Sequence, residues 1–313
     1  MTIVPVLFAF DNSMMMPAGV CISSLLENSE PDTFYDIFIL HNKNTCISNK
    51  ILYGLPEKYK NCRITDRIAD TVFDKSYKVR GITEATYYRL LAPKLIPEYN
   101  IIIYSDVDVI FREDLSKYYH TDIGEYYFGA VDNCSALRPK VRKHLSHLGL
   151  DYKKGYYYAG NLIINSKSLL EKGLINEFIQ LGQQSFPQQD MDIINIACNG
   201  HFFSLGPSFC LTVQLYELML EKRDEMNAIY GHEEITHALE FGTVHYNGAK
   251  PWNEACPNMD IWWSYYRKSI FYDELFARDF WRRQRDLLTN LPLKKRIKLL
   301  LRYPIDKHTD HSV

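Results

Sequence analysis

Three runs, IVPVLFAF (3–10), FYDIFIL (34–40) and NIIIYSD (100–106), are apolar almost without a break. A strand with one wet face alternates apolar and polar residues, so unbroken runs of this kind mark strands covered on both sides. Helical segments lie between them: SMMMPAGVCISSLLENS (13–29), SNKILYGL (48–55) and TEATYYRLLAPKLI (83–96). The last is expected to end before Pro93, because the residue preceding a proline avoids the helical region. Buried strands alternating with helices form a mostly parallel sheet, and ligands of such sheets bind at the carboxyl ends of strands. Asp11 and Asp106 stand at two such ends.

Farther along, a short strand is expected near Arg63 and Ile64, with others at YYFGAVD (126–132), NLIIN (161–165), HFFSL (201–205) and TVHY (243–246). SLLEKGLINEFIQLG (168–182) and DMDIINIACNG (190–200) read as helices ending near glycine. With no repeat, low-complexity segment or linker before about residue 270, the reading is one α/β domain over 1–270 and a helical, basic tail over 271–313.

Composition narrows the function. A formal net charge of −2 predicts no generic affinity for nucleic acid. The seven cysteines are odd in number and scattered, with no CxxC, which argues against a disulfide framework or a structural zinc site and fits a reducing cytoplasm. The first residues, MTIVPVLFAF, lack a basic leader and are too short to span a bilayer. Aromatic residues reach 14%, led by tyrosine, and core packing is their commonest use.

Two segments carry chemistry. In IIIYSDVDVIF (101–111), Asp106 and Asp108 are two residues apart and point to the same side of a strand. Like charges there repel unless a cation shares them, and paired carboxylates suit a hard divalent ion. An Asp-x-Asp alone fits a solvated acidic pair equally well. In HYNGAKPW (245–252), His245 offers a nitrogen ligand, Gly248 admits close backbone approach and Lys250 is a cation able to hold phosphate. By itself that segment also reads as an ordinary strand and turn.

The order of the pieces is more specific than any piece. FAFDN, TYYRL, SDVDV, YYYAGNLIIN, QQDMDIIN and HYNGAKPW follow one another across residues 3–270 in a way that resembles glycosyltransferase family 8. The resemblance implies a GT-A fold, Mn²⁺ (or Mg²⁺) as cofactor, a UDP-glucose or UDP-galactose donor, and transfer with retention of anomeric configuration. By motif position, Asp106, Asp108 and His245 resemble the metal ligands, and Ala9 and Asp11 the residues that meet uracil. Arg89 resembles the arginine near the donor sugar and diphosphate, Asp132 an aspartate lining the sugar pocket, and Gly248 and Lys250 the diphosphate clamp. Asp190 resembles the aspartate that binds donor-sugar hydroxyls, and Val107 and Ala159 join the donor-binding set. The chain departs from its relatives at Met14 (commonly Tyr), Tyr158 (often Asn) and Met191 (commonly Gln), and HYNGAKPW is one residue shorter than the usual segment.

The tail, RDFWRRQRDLLTNLPLKKRIKLLLRY (278–303), mixes Arg and Lys with Trp, Phe and Leu, and Pro292 should split it into two amphipathic pieces. Such a sequence suits an anionic membrane surface, hence a peripheral place on the inner face of the cytoplasmic membrane and a lipid-linked saccharide acceptor such as lipopolysaccharide. Two other functions compete. One is a phosphatase of the haloacid-dehalogenase kind, whose DxD normally closes the first strand. The other is a non-catalytic module binding nucleotide sugars or glycans. Turnover of UDP-sugars with Mn²⁺ separates all three.

Overall fold

A computed structural model describes residues 1–43, 50–69, 71–74, 76–78 and 83–302. Its strands are β1 (Thr2–Ala9), β2 (Thr33–Asn42), β3 (Cys62–Ala69), β4 (Ile101–Ser105), β5 (Val109–Ile110), β6 (Phe128–Val131), β7 (Asn161–Asn165), β8 (Phe202–Leu205), β9 (Leu211–Thr212) and β10 (Val244–His245). Seven of them form the main sheet in the order β3-β2-β1-β4-β7-β6-β8, and β5, β10 and β9 form a small second sheet. All pairings in the main sheet are parallel except those of β7, which runs antiparallel to β4 and β6.

The unbroken apolar runs are explained by burial on both faces. Val4, Val6 and Phe8 of β1 share one core with Ile37, Ile39, Ile103 and the helix Met15–Glu27. Leu7 and Ala9 share the opposite core with Phe38, Leu40, Ile102 and Tyr104. At roughly 25 cal/mol per Å² of apolar surface buried, these two layers supply most of the favourable folding energy.

Several local expectations are corrected. Segment 83–96 is not one helix stopping before Pro93. It is the turn Ala85–Tyr88, a 3-10 turn Arg89–Leu91 and a new turn Ala92–Leu95. Pro93 sits in the first turn of that last piece, where its missing N–H has no helical partner to lose. Segment 168–182 divides into Ser166–Glu171 and Leu174–Leu181 at Gly173, whose φ of +69° favours glycine. The helices Pro139–His147, Val213–Glu221, Arg223–Tyr230 and His232–Glu240 have no counterpart in the sequence reading. Cys46 and the first two residues of 48–55 lie outside the described residues, as do 303–313. The other cysteines are free thiols.

The core also continues past residue 270. Trp262, Trp263 and Tyr266 of the helix Met259–Lys268 pack with Ala277 and Phe280 of the helix Glu274–Thr289. A Cβ on Gly19 would lie 2.3 Å from the Phe271 ring, so the first helix accepts that ring only because residue 19 has no side chain.

One buried carboxylate ties the segment after β5 to the start of the sheet. Asp114 accepts hydrogen bonds from Glu30 N (3.0 Å), Tyr35 Oη (2.8 Å) and Ser116 N (2.7 Å). Burial raises its pKa, but these donors outweigh burial and hold it below the usual carboxylate value. Asp114→Ala strands the buried Tyr35 hydroxyl and two part-buried N–H groups and should cost about 3 kcal/mol, read as a fall in melting temperature. The depressed folded-state pKa makes the Asp114 contribution fully present above the unfolded value of about 3.9, and it is lost as pH falls through the folded value. The wild-type and variant stabilities should therefore converge in acid.

Candidate functional site

A cavity of about 740 Å³ opens at the carboxyl ends of β1 and β4. Ala9 at the end of β1 lines it with Asp11 and Met14 of the turn that follows, and Asp106, Val107 and Asp108 line it from the turn after β4. Arg89, Ala159, Asp190, Met191, His245 and Lys250 complete the meeting of residues that are far apart in sequence. Asp132 and Gly248 are not among the lining residues. Asp132 Oδ1 accepts from Tyr156 N at 2.8 Å, and burial raises its pKa. A Cβ added to Gly248 would meet nothing within 4 Å, so its backbone faces open space.

The small sheet assembles the acidic end. Antiparallel pairing of β10 with β5 puts His245 opposite Val109, beside Asp108. Ligand atoms of Asp106, Asp108 and His245 all lie within 4.8 Å of one another. His245 Nε2 is 3.3 Å from Asp108 Oδ1 and 3.6 Å from Asp106 Oδ2. The remaining carboxylate oxygens are held from outside. Asp106 Oδ1 accepts from Arg89 Nη2 (2.7 Å) and Tyr104 Oη (2.6 Å), while Lys250 Nζ donates to Asp108 Oδ2. One oxygen from each aspartate and one imidazole nitrogen are thus left facing a common point. That donor set fits a hard divalent cation.

The floor of this point is Gly160. A Cβ there would lie 2.2 Å from His245 Cε1 and 2.9 Å from Asp106 Oδ2, so any side chain would enter the site. The same residue's carbonyl accepts from Asp106 N at 2.7 Å. Behind the imidazole, Cys210 Sγ is 3.6 Å from Nδ1, which fixes the ring with Nε2 toward the carboxylates.

Electrostatics follow from this crowding. Burial works against charge on His245, but Asp108 outweighs it and raises the imidazole to about 10. Burial likewise disfavours charge on Asp108, and Lys250 and His245 overcome it, holding the carboxyl well below its ordinary value. Asp190 is raised to about 6 by burial, partly offset by Arg89 and reinforced by Asp106. Its Oδ1 accepts from Thr86 Oγ1 at 3.0 Å, and its Oδ2 is 3.2 Å from Arg89 Nε. Arg89 also donates to Ala159 O, so one buried guanidinium joins the β4 end, the 159–160 turn and the start of the helix Asp190–Cys198.

Asp190 and Asp192 part company. Asp190 lines the cavity, whereas Asp192 is fully buried and accepts from Tyr156 Oη (2.5 Å) and Gln188 N (2.9 Å), with His144 Nε2 at 2.7 Å. Thr86, Gly160, Arg138, Lys140 and His144 also line the cavity and were not singled out in the sequence. Gly160 had a readable signal, since a glycine at the mouth of an apolar strand often marks close approach of other atoms. Arg138, Lys140 and His144 had none, because the helix Pro139–His147 that carries them was itself missed.

Comparisons with known proteins give the family and the fold. The family model described as "Glycosyl transferase family 8" matches residues 5–256. General stress protein A of Bacillus subtilis (strain 168) is 22% identical over 258 residues, covering 78% of this chain and 85% of that protein. A putative glycosyltransferase of Haemophilus influenzae (strain ATCC 51907 / DSM 11121 / KW20 / Rd) is 25% identical over 222 residues, covering 69% and 66%. Among solved structures, the galactosyltransferase LgtC in complex with donor and acceptor sugar analogs superposes with a TM-score of 0.72 at 22% identity, over 88% of this chain and 99% of that one. The bifunctional glycosyltransferase WbbM superposes with a TM-score of 0.71 at 20% identity; this chain spans 52% of its length. The fold is of the GT-A type, and the chain belongs to glycosyl transferase family 8.

Proposed function

We propose that this glycosyltransferase moves a hexose, glucose or galactose, from a UDP-sugar to a glycan acceptor, with retention at the anomeric carbon and with Mn²⁺ (or Mg²⁺) at Asp106, Asp108 and His245. The observation that carries the reading is the convergence of those three ligand groups within 4.8 Å beside Arg89 and Asp190. When bound, the divalent ion supplies positive charge for the donor diphosphate. Lys250 adds a second cation at the same end, where charge grows on the leaving phosphate as the glycosidic bond breaks. Ala9 and Asp11 contact the uracil, Val107 and Ala159 border the nucleotide, and Gly248 lets the diphosphate approach the backbone. Asp190 accepts from donor-sugar hydroxyls, Arg89 holds Asp190 and Asp106 in register, and Asp132 supports the sugar pocket. A panel of UDP-sugars assayed for UDP release tests this reading. Mn²⁺-dependent release is expected, and its absence across the panel would favour the non-catalytic binding module.

Met191 bears on the route. A thioether carries no charge and is no nucleophile of the carboxylate or amide kind. We therefore assign front-face attack by the acceptor, with Asp190 as a hydroxyl acceptor. Asp190→Asn should lower kcat by about 10- to 100-fold, the loss of one charge-assisted hydrogen bond, without trapping a covalent sugar. Met191→Gln should leave the product anomer unchanged by NMR. A glycosyl adduct on Asp190 or Asp192 in the mass spectrum of slow variants would contradict this route.

The acceptor is proposed to be lipopolysaccharide or another lipid-linked oligosaccharide, met by a cytoplasmic enzyme on the inner membrane face. Support comes from the tail, where Trp281, Leu287, Leu293 and Ile297 are exposed among basic residues. Among the described residues no helix is long and apolar enough to cross a membrane, so attachment would be peripheral. Phe280 is packed 4.6 Å from Trp263, so a truncation that spares the core starts after it. Deleting residues 290–313, which removes Leu293, Ile297 and their basic neighbours but keeps Trp281 and Leu287, should weaken binding to anionic vesicles while leaving UDP-sugar hydrolysis intact, and salt should weaken it further. Binding unaffected by salt would count against the account.

A further inference from the structure

The cations around the acidic end of the cavity are all matched. Arg89 pairs with Asp106 and Asp190, Lys250 with Asp108, and His245 with both metal-site aspartates. One wall of the same cavity is different. Segment 138–154 carries Arg138, Lys140, Arg142, Lys143, Lys153 and Lys154 against Asp151 alone. Among the described residues none of those six cations forms an ion pair with a carboxylate. Arg138 and Lys140 are the ones that line the cavity. Arg138 Nη1 reaches only neutral oxygens, Tyr158 Oη at 3.3 Å and Asn133 O at 3.5 Å. Lys140 is exposed.

The position of this wall is fixed. His144, on the same helix, contacts Asp192 at 2.7 Å, and Asp192 belongs to the helix that begins with Asp190. The basic helix is thereby moored beside the group assigned to the donor-sugar hydroxyls, at the sugar end of the site. A molecule arriving to receive the sugar enters a cavity that these unmatched cations line. The helix as a solvated surface would need no cations turned into the cavity.

We propose that the acceptor is anionic: a saccharide bearing a phosphate or carboxylate group, which Arg138 and Lys140 engage next to the hydroxyl that is glycosylated. This rests on the transferase reading above and adds the acceptor class to it. The two cations then act as specificity residues, since a neutral glycan leaves them with water and an anionic one forms charge-assisted hydrogen bonds.

The test uses the full chain with saturating UDP and Mn²⁺, so that the diphosphate site is filled and does not capture the probe's phosphate. Glucose 6-phosphate, galactose 6-phosphate, their neutral parents and inorganic phosphate are titrated calorimetrically at low salt. At least one hexose phosphate should bind about tenfold or more tightly than its neutral parent and than inorganic phosphate, the scale of one charge-assisted contact. Lys140→Glu, an exposed change that does not threaten the fold, should remove that preference. Lys167→Glu, in the separate helix Ser166–Glu171 where Lys167 is exposed and pairs with Glu171, should not. Equal affinity for charged and neutral sugars overturns the proposal, as does absence of binding by all of them. So does inorganic phosphate binding as well as the sugar phosphates, or the same loss in Lys167→Glu, which would mark a general field. Mn²⁺-dependent hydrolysis of UDP-hexoses by the wild type, measured alongside, reports on the transferase reading separately.

Discussion

Asp106→Ala or Asp108→Ala should abolish the rise in melting temperature that UDP gives in the presence of Mn²⁺ and should lower turnover by about 10²–10³-fold, the scale of removing one element of an electrostatic site. The reasoning is geometric. Each aspartate presents one oxygen to the common point near His245 Nε2, and the other oxygen is already taken by Arg89 and Tyr104 or by Lys250. Among the described residues no other His, Cys, Asp or Glu joins this cluster. A ligand at 100 times its Kd stabilises a fold by about 2.7 kcal/mol, so the loss is well within reach of a thermal scan. Excess chelator should erase the UDP shift in the wild type and change nothing in the variants. An equal shift in chelator would refute the metal role.

Gly160→Ala is the second large effect. The added methyl carbon would lie 2.2 Å from His245 Cε1 and 2.9 Å from Asp106 Oδ2. Neither neighbour can yield cheaply, because the His245 ring is backed by Cys210 and Asp106 is held by Arg89 and Tyr104. Overpacking in such a place costs about 1–3 kcal/mol. The damage to function should exceed the damage to stability: Mn²⁺-dependent UDP binding should be lost while the chain stays folded by circular dichroism. Cys210→Ala, which leaves the ring in place but unsupported, should weaken that binding by about tenfold, the lower scale for loss of a partner behind a metal-binding histidine. Normal affinity in Gly160→Ala would mean that the floor of the site lies elsewhere.

The sheet was legible because its signal is local. Runs such as IVPVLFAF and NIIIYSD are apolar on both faces, and both faces prove to be buried. The direction of β7 was not legible, since NLIIN reads the same whether it runs parallel or antiparallel. The helices between Val213 and Glu240 were missed because their apolar residues, Leu215, Leu218, Met219, Met226, Ile235 and Ala238, are spread over three short pieces rather than one periodic run. Pro93 misled for a physical reason, as its effect depends on whether it falls inside a helix or in its first turn. Within the site, the acidic pair and His245 could be anticipated from residue type and order. Their approach to one another depends on the β5–β10 pairing, which two-residue strands do not announce in sequence. The unmatched cations at Arg138 and Lys140 emerge only when the whole cavity is seen.

Calorimetric titration of UDP into the full chain, once with Mn²⁺ and once with chelator, tests the central claim most directly. The account predicts saturable binding of one UDP per chain with Mn²⁺ and loss of that binding in chelator. Binding of equal strength in both, or no binding with Mn²⁺ present, would contradict it.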